Sequence, residues 1–110
     1  MADLIHGLDP VIHPLPRLSI CAILAAGPQW VEFRVVRETT GLSDSMVSKH
    51  ARALEDVGYV EVRKGAVGRR PRTWFRLTPL GRARYREHVV QLRKLVDSSP
   101  ELDPPTTEPD

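Results

Sequence analysis

The 110-residue sequence predicts an α+β fold, mostly helical, in which helices surround one small hairpin. Three observations point there. Apolar residues recur at helical spacing in four separate stretches. Between the third and fourth stretches the period drops from about 3.6 to 2, the alternation of a half-buried strand. A short glycine-containing join, Glu38-Thr39-Thr40-Gly41-Leu42-Ser43-Asp44, separates the second stretch from the third.

The first helix follows Pro14 and Pro16, residues suited to an opening helical turn, and runs through 18–27 to the stop signal Gly27-Pro28. It is apolar almost all round, which predicts a buried helix. Trp30-Val31-Glu32-Phe33 reads either as a small edge strand or as the entry to a second helix. That helix covers 34–40, with Phe33, Val36 and Thr40 at helical spacing and Gly41 at its end. Ser43 is a good N-cap for a third helix reaching about Val57, with Val47, Ala51 and Leu54 on its buried face. Gly58 stops it. In 59–63, Val60 and Val62 alternate with Glu61 and Arg63, a half-buried strand. Residues 73–77 form its partner, so 64–72, rich in Gly and Arg, predicts a long basic turn. Thr78-Pro79 repeats the helix-start signal. The helix that follows carries Tyr85, Val89, Leu92 and Val96 in one stripe, with Arg84, Glu87, Gln91 and Lys94 opposite. From Ser98 onward Pro100, Pro104, Pro105 and Pro109, interspersed with acids, predict a disordered tail.

The formal net charge of +2 hides an asymmetry. From Lys49 to Lys94 there are 13 Lys or Arg against 4 acids (Glu55, Asp56, Glu61, Glu87), a local net of +9. Glu101, Asp103, Glu108 and Asp110 follow with no base among them. A basic body with a separate acidic tail suits a polyanion partner, most simply nucleic acid. The single cysteine, Cys21, excludes an intramolecular disulfide framework, and its apolar neighbours make it a small buried residue. No zinc-type spacing and no cofactor motif is present; His6, His13 and His88 form no ligand pattern. No nucleophile is paired with a base, and Gly65 and Gly68 lie in a hairpin, not between a strand and a helix, so no enzyme is expected. The N-terminus lacks a secretion pattern and no apolar run could span a bilayer; the expected location is cytoplasmic, with no membrane partner.

The order helix, helix, tight turn, helix, hairpin, helix is that of a winged helix-turn-helix with a two-stranded basic wing. A helix of this diameter fills a DNA major groove with its N-terminal residues at the base edges. If Val47, Ala51 and Leu54 face inward, then Ser45, Ser48, Lys49 and Arg52 face outward, beside the capping Ser43, and these five are the candidate recognition residues. In the wing, Lys64, Arg69, Arg70 and Arg72 are placed for the phosphate backbone or the minor groove. His50 adjoins the buried stripe and reads as packed or phosphate-bonded. His88 is expected in an interface hydrogen bond, and Trp30 and Trp74 in core or interface packing.

The stretch Gly41-Leu42-Ser43-Asp44-Ser45-Met46-Val47-Ser48-Lys49-His50, then Leu54-Glu55-Asp56-Val57-Gly58-Tyr59-Val60, Gly68-Arg69-Arg70-Pro71-Arg72-Thr73 and Leu77-Thr78-Pro79-Leu80-Gly81, resembles the MarR and ArsR winged-helix regulators. The resemblance covers roughly residues 8–96 and is closest to the small single-domain branch of that group. It implies a dimer built partly from the terminal helices, and repression of nearby promoters. The chain is too short for most of the extra helices that form the ligand pocket in full MarR proteins, and the Cys pairs or His/Asp clusters of metal-sensing ArsR members have no counterpart in it. No effector and no metal is assigned.

The organisation expected is an N-terminal arm at 1–12 placed for a dimer interface, a DNA-binding domain at 13–77, an amphipathic dimerisation helix at 78–97 and the tail at 98–110. Tyr85, Val89, Leu92 and Val96 are the candidate dimer interface, because a polar tail cannot cover them. The reading that follows is a homodimeric regulator, a repressor, on double-stranded DNA. Two others stand beside it: a winged-helix module that binds protein, and a ligand-responsive regulator.

Overall fold

The computed structural model describes residues 5–98. Its elements are α1 (Leu15–Ala26), β1 (Val31–Glu32), α2 (Phe33–Thr40), α3 (Asp44–Asp56), β2 (Val60–Val67), β3 (Arg70–Leu77) and α4 (Pro79–Ser98). The sheet is antiparallel throughout in the order β1-β3-β2. This is the winged-helix arrangement of the α+β class. The predicted tail lies outside the described residues except for Ser98, which ends α4, and so do residues 1–4 of the predicted arm.

α1 buries a stripe of Ile20, Cys21 and Leu24, while Leu15 is 73 % exposed. The helix is therefore buried along one side, not all round as its composition suggests; the small residues Ala22, Ala25 and Ala26 leave its other side partly open. The ambiguous stretch after Gly27 is both things in turn. Val31 and Glu32 pair with Phe75 and Trp74 as an edge strand, and α2 begins directly at Phe33. Buried Val47, His50, Ala51 and Leu54 seat α3 against α1 and the sheet. Its end is a double closure: Tyr59 N–H donates to the Leu54 carbonyl and Gly58 N–H to the Glu55 carbonyl, both at 2.9 Å.

The hairpin differs most from expectation. The nine-residue turn predicted at 64–72 is a two-residue turn, Gly68-Arg69, and the ladder runs unbroken from Val60↔Leu77 to Val67↔Arg70. Gly68, with φ +62°, takes the first turn position, where a tight hairpin needs a left-handed residue. Periodicity could not reveal the outer ladder because both of its faces are exposed from Arg63 to Pro71, so no apolar alternation exists to read. Pro71 is tolerated because β1 reaches only as far as Trp74, which leaves β3 an edge strand at Pro71.

Ile12 is fully buried among Ile20, Leu24, Val36, Val47, Leu54, Val60, Phe75 and Leu77. The end of the predicted arm is thus core of its own chain. Asp9 pins it there. Its Oδ1 accepts from the Val11 and Ile12 amides (2.8 and 3.3 Å), and its Oδ2 accepts from the Tyr59 hydroxyl at 2.6 Å. Its own N–H donates to His88 Nδ1 at 2.9 Å, and His88 Nε2 lies 3.3 Å from His13 Nδ1. His88 is fully buried, so its hydrogen bonds lie inside one chain and not at an interface.

This arrangement has a pH consequence. The Asp9 amide occupies Nδ1, so His88 carries its proton on Nε2, and a second proton would displace that amide. Burial, then the nearby His13, lowers the His88 pKa below the ordinary 6.5, against the opposing Asp9 carboxylate. The unfolded chain therefore binds the proton more readily. Stability from this site is complete above about pH 6.5 and declines as pH falls below it. Thermal midpoints measured between about pH 5 and 7.5 should fall on the acid side, and less steeply in His88→Gln, whose amide oxygen can still accept from Asp9. Buried His50 shifts the same way and leaves a residual slope. Parallel profiles for the two proteins would remove His88 as the responsible group.

Candidate nucleic-acid interface

The join between α2 and α3 is built from side chains that satisfy the backbone at a sharp corner. Thr40 Oγ1 donates to the Val36 carbonyl (2.7 Å) and accepts from the Leu42 amide (3.2 Å). Gly41 N–H closes α2 on the Arg37 carbonyl. Ser43 Oγ caps α3 by accepting from the Met46 amide at 3.2 Å. An ion pair from Arg37 to Asp44, 3.1 Å, clamps the two helices, and the sequence reading had not singled it out.

With Val47, Ala51 and Leu54 turned inward, Ser45, Ser48, Lys49 and Arg52 stand on the solvent side of α3, and Ser43 heads the same row. They are not equally free. The Ser43 hydroxyl is engaged as the cap and lies 3.2 Å from Ser45 Oγ. Arg52 is 3.5 Å from Asp56 one turn on, with both side chains well exposed. Such a pair is weak and exchanges readily for a better anion. Ser48, Arg52, Glu55, Lys64 and Thr73 border a groove of about 280 Å³ between α3 and the hairpin.

The four wing cations divide. Lys64, Arg69 and Arg70 are exposed, and none has an ion pair among the described residues. Arg72 is different: its Nη1 is 2.8 Å from Glu32 Oε1, and both side chains are 28 % exposed. It ties the hairpin to β1. The pairing Glu32↔Trp74 puts Glu32 on the same sheet face as Arg72, which is invisible in a sequence that separates them by 40 residues. On that face Trp30 carries two guanidinium groups, Arg63 at 4.7 Å and Arg76 at 4.9 Å. Arg76 also donates to Glu61 Oε1 through two nitrogens, Nη2 at 2.8 Å and Nε at 3.1 Å. Arg63, Arg72 and Arg76, three of the basic residues counted toward a polyanion partner, are therefore partly spent within the fold.

Tyr85 packs against the core, Val89 and Leu92 are half-buried, and Val96 is 60 % exposed. Val90, outside the predicted stripe, is also exposed. Cys21 is fully buried, and burial with the nearby Asp9 pushes its thiol up to about 12, so it stays protonated and unreactive. No described helix is long and apolar enough to cross a membrane.

A helix-turn-helix whose second helix lies open beside a two-stranded cationic hairpin defines a winged helix-turn-helix protein. The chain belongs to the winged helix DNA-binding domain family, whose pattern matches residues 16–96. It is 27 % identical over 85 residues to an uncharacterized protein of Methanocaldococcus jannaschii, covering 77 % of this chain and 91 % of that one. Its fold is similar to that of a transcriptional regulator homologue from Pyrococcus horikoshii, with a TM-score of 0.73 at 24 % identity over 80 % of this chain and 86 % of the other. A MarR-family transcriptional regulator from Rhodococcus gives 0.69 at 21 % identity, over 94 % and 71 % of the two chains. The PcaV transcriptional regulator of Streptomyces coelicolor gives 0.68 at 23 %, over 88 % and 69 %.

Proposed function

We propose that this protein is a transcriptional regulator that binds double-stranded DNA sequence-specifically as a homodimer and represses from a pseudo-palindromic operator. The observation that carries the reading is the exposed row Ser45, Ser48, Lys49 and Arg52 on α3, with the exposed wing cations Lys64, Arg69 and Arg70, which have no ion pair among the described residues. Short hydroxyls and long cations on the open side of a helix suit base edges in a major groove. Cations on a narrow hairpin suit phosphates or a minor groove. Family membership supports DNA as the partner. In this reading residues 13–77 form the DNA-binding unit, with Arg72 bracing the wing and Ser43 capping the recognition helix, and 78–97 carry the dimer contact.

The dimer rests on α4. Val90 and Val96 are 51 % and 60 % exposed, and Val89 and Leu92 are only half-covered. A second copy packed along these residues would bury them across a two-fold axis. Two α3 helices would then lie one DNA turn apart, ~34 Å, or a multiple of it.

Selection of bound fragments from a genomic DNA pool, followed by titration at two salt concentrations, tests the reading. The expected result is a recurrent inverted repeat with half-sites ~10 bp apart or a multiple, bound at least ~1000-fold more tightly than random duplex. Light scattering should give twice the chain mass of 12.4 kDa. No duplex binding would sink the DNA reading; a monomer mass that persists on DNA would sink the dimer and the palindrome.

A further inference from the structure

The first turn of α1 meets α3 at a corner that holds three nitrogenous side chains. Arg17 lies in that turn; its Nε is buried without a hydrogen-bond partner, and the residue has no ion pair among the described residues. His50 on α3 is 9 % exposed, and its Nδ1 is likewise buried and unpartnered. Lys49, next to it, is exposed. Burial first, and then the charges of nearby Arg17 and Lys49, disfavour protonation of His50, and no carboxylate enters that balance. The start of α1 adds to the same sign. Pro14 supplies no side-chain cap, and the first turn contains no acidic residue, so the opening amides and the positive end of the helix dipole are left uncompensated.

Folded proteins rarely leave two buried polar nitrogens without acceptors, and rarely gather cations without an acid. An anion would give both nitrogens the acceptor they lack. Lys49 belongs to the α3 row that the proposed function sets against DNA, so an anion at this corner would lie at the edge of that interface. We infer that Arg17, Lys49 and His50, with the N-terminus of α1, form a phosphate-binding corner that grips one backbone phosphate of the duplex beside the bases faced by α3. The inference rests on the DNA reading and deepens it. Lys49 then grips the backbone while Ser45, Ser48 and Arg52 remain for bases. The corner anchors the DNA on the side of α3 away from the wing, so that the helix is held from both flanks. His50 stays neutral there, consistent with its lowered pKa, and donates its Nδ1–H to a phosphate oxygen.

Phosphate contacts and base contacts leave different signatures. Arg17→Gln and Lys49→Gln should each weaken binding to the selected operator and to a random duplex by the same factor, roughly tenfold near 50 mM salt. Each should lower the slope of log Kd against log salt by about 0.9, with the selected sequence unchanged. Arg17→Lys should restore most of the loss. Lys49 is exposed, so its variant tests the corner even if replacing Arg17 disturbs folding. Methylphosphonate placed at single positions should reveal one phosphate per half-site whose neutralisation harms the wild type and no longer harms the Gln variants. Unchanged affinity and slope in both variants, or altered base preference with an unchanged slope, would overturn the corner while the DNA reading stands. If the wild type binds no duplex, both fall; inorganic phosphate alone perturbing the His50 resonances, with no such phosphate found in the duplex, would assign the corner to a free anion and overturn the backbone contact.

Discussion

Gly81→Ala should destabilise this domain by ~3 kcal/mol or more, lowering the thermal midpoint by ~12 °C or more, or should prevent folding. Elsewhere in a helix the same change stabilises by about 1 kcal/mol, because alanine is the better helix former. Here a Cβ would overlap the carbonyl oxygen of Tyr59 and would lie 2.7 and 2.8 Å from the Tyr59 carbonyl carbon and Cα. All three are main-chain atoms that cannot rotate away. That carbonyl accepts from the Thr78 amide at 3.0 Å, and the Tyr59 amide closes the end of α3. Thr78 Oγ1 donates to the Gly58 carbonyl at 2.6 Å and accepts from the Gly81 amide at 3.0 Å. Moving α4 outward by an ångström would break these bonds together and pull His88 from Asp9. A midpoint equal to or above that of the wild type would show that the two backbones are not this close.

The second large effect concerns the wing. Replacing Arg69 and Arg70 together by alanine should lower affinity for every duplex roughly a hundredfold near 50 mM salt and reduce the salt slope by about 1.8, two phosphate contacts. Both side chains are exposed and have no ion pair among the described residues, so stability should hold. Arg72→Ala should behave in the opposite way. It leaves the half-buried Glu32 carboxylate without its 2.8 Å partner, so it should cost about 1 kcal/mol of stability and hardly move the salt slope. Titrations at several salt concentrations and thermal melts of both variants check the division. An unchanged slope in the Arg69/Arg70 double variant would mean that the wing tip does not touch DNA.

Signals confined to a few neighbouring residues are legible in the sequence. Ser43 caps α3 and Thr78 caps α4, as their positions ahead of apolar-periodic stretches require. The inward set Val47, Ala51 and Leu54 and the outward set Ser45, Ser48, Lys49 and Arg52 follow from the 3.6-residue period alone. The sequence resemblance to winged-helix regulators agrees with the family matched over residues 16–96. Wherever exposure on both faces erased the period, the reading failed: the outer halves of β2 and β3 look like a loop until their ladder is seen.

The sequence by itself therefore determined the order of the helices and the hairpin, the caps of α3 and α4, the turn between α2 and α3 and the side of α3 turned to solvent, while β1 stayed open. Each depends on hydrogen bonds and apolar spacing within about four residues along the chain. Only the tertiary structure decided which charges are available. Arg72 meets Glu32 across 40 residues, and Asp9 meets His88 across 79. Arg63 and Arg76 lie over Trp30, Ile12 enters the core, and the Arg17 Nε is buried without an acceptor. A cation reads the same in sequence whether it is free, stacked or paired. What separates these states is the desolvation and the neighbours imposed by packing, and these are set by sheet register and helix contact between residues far apart in the chain.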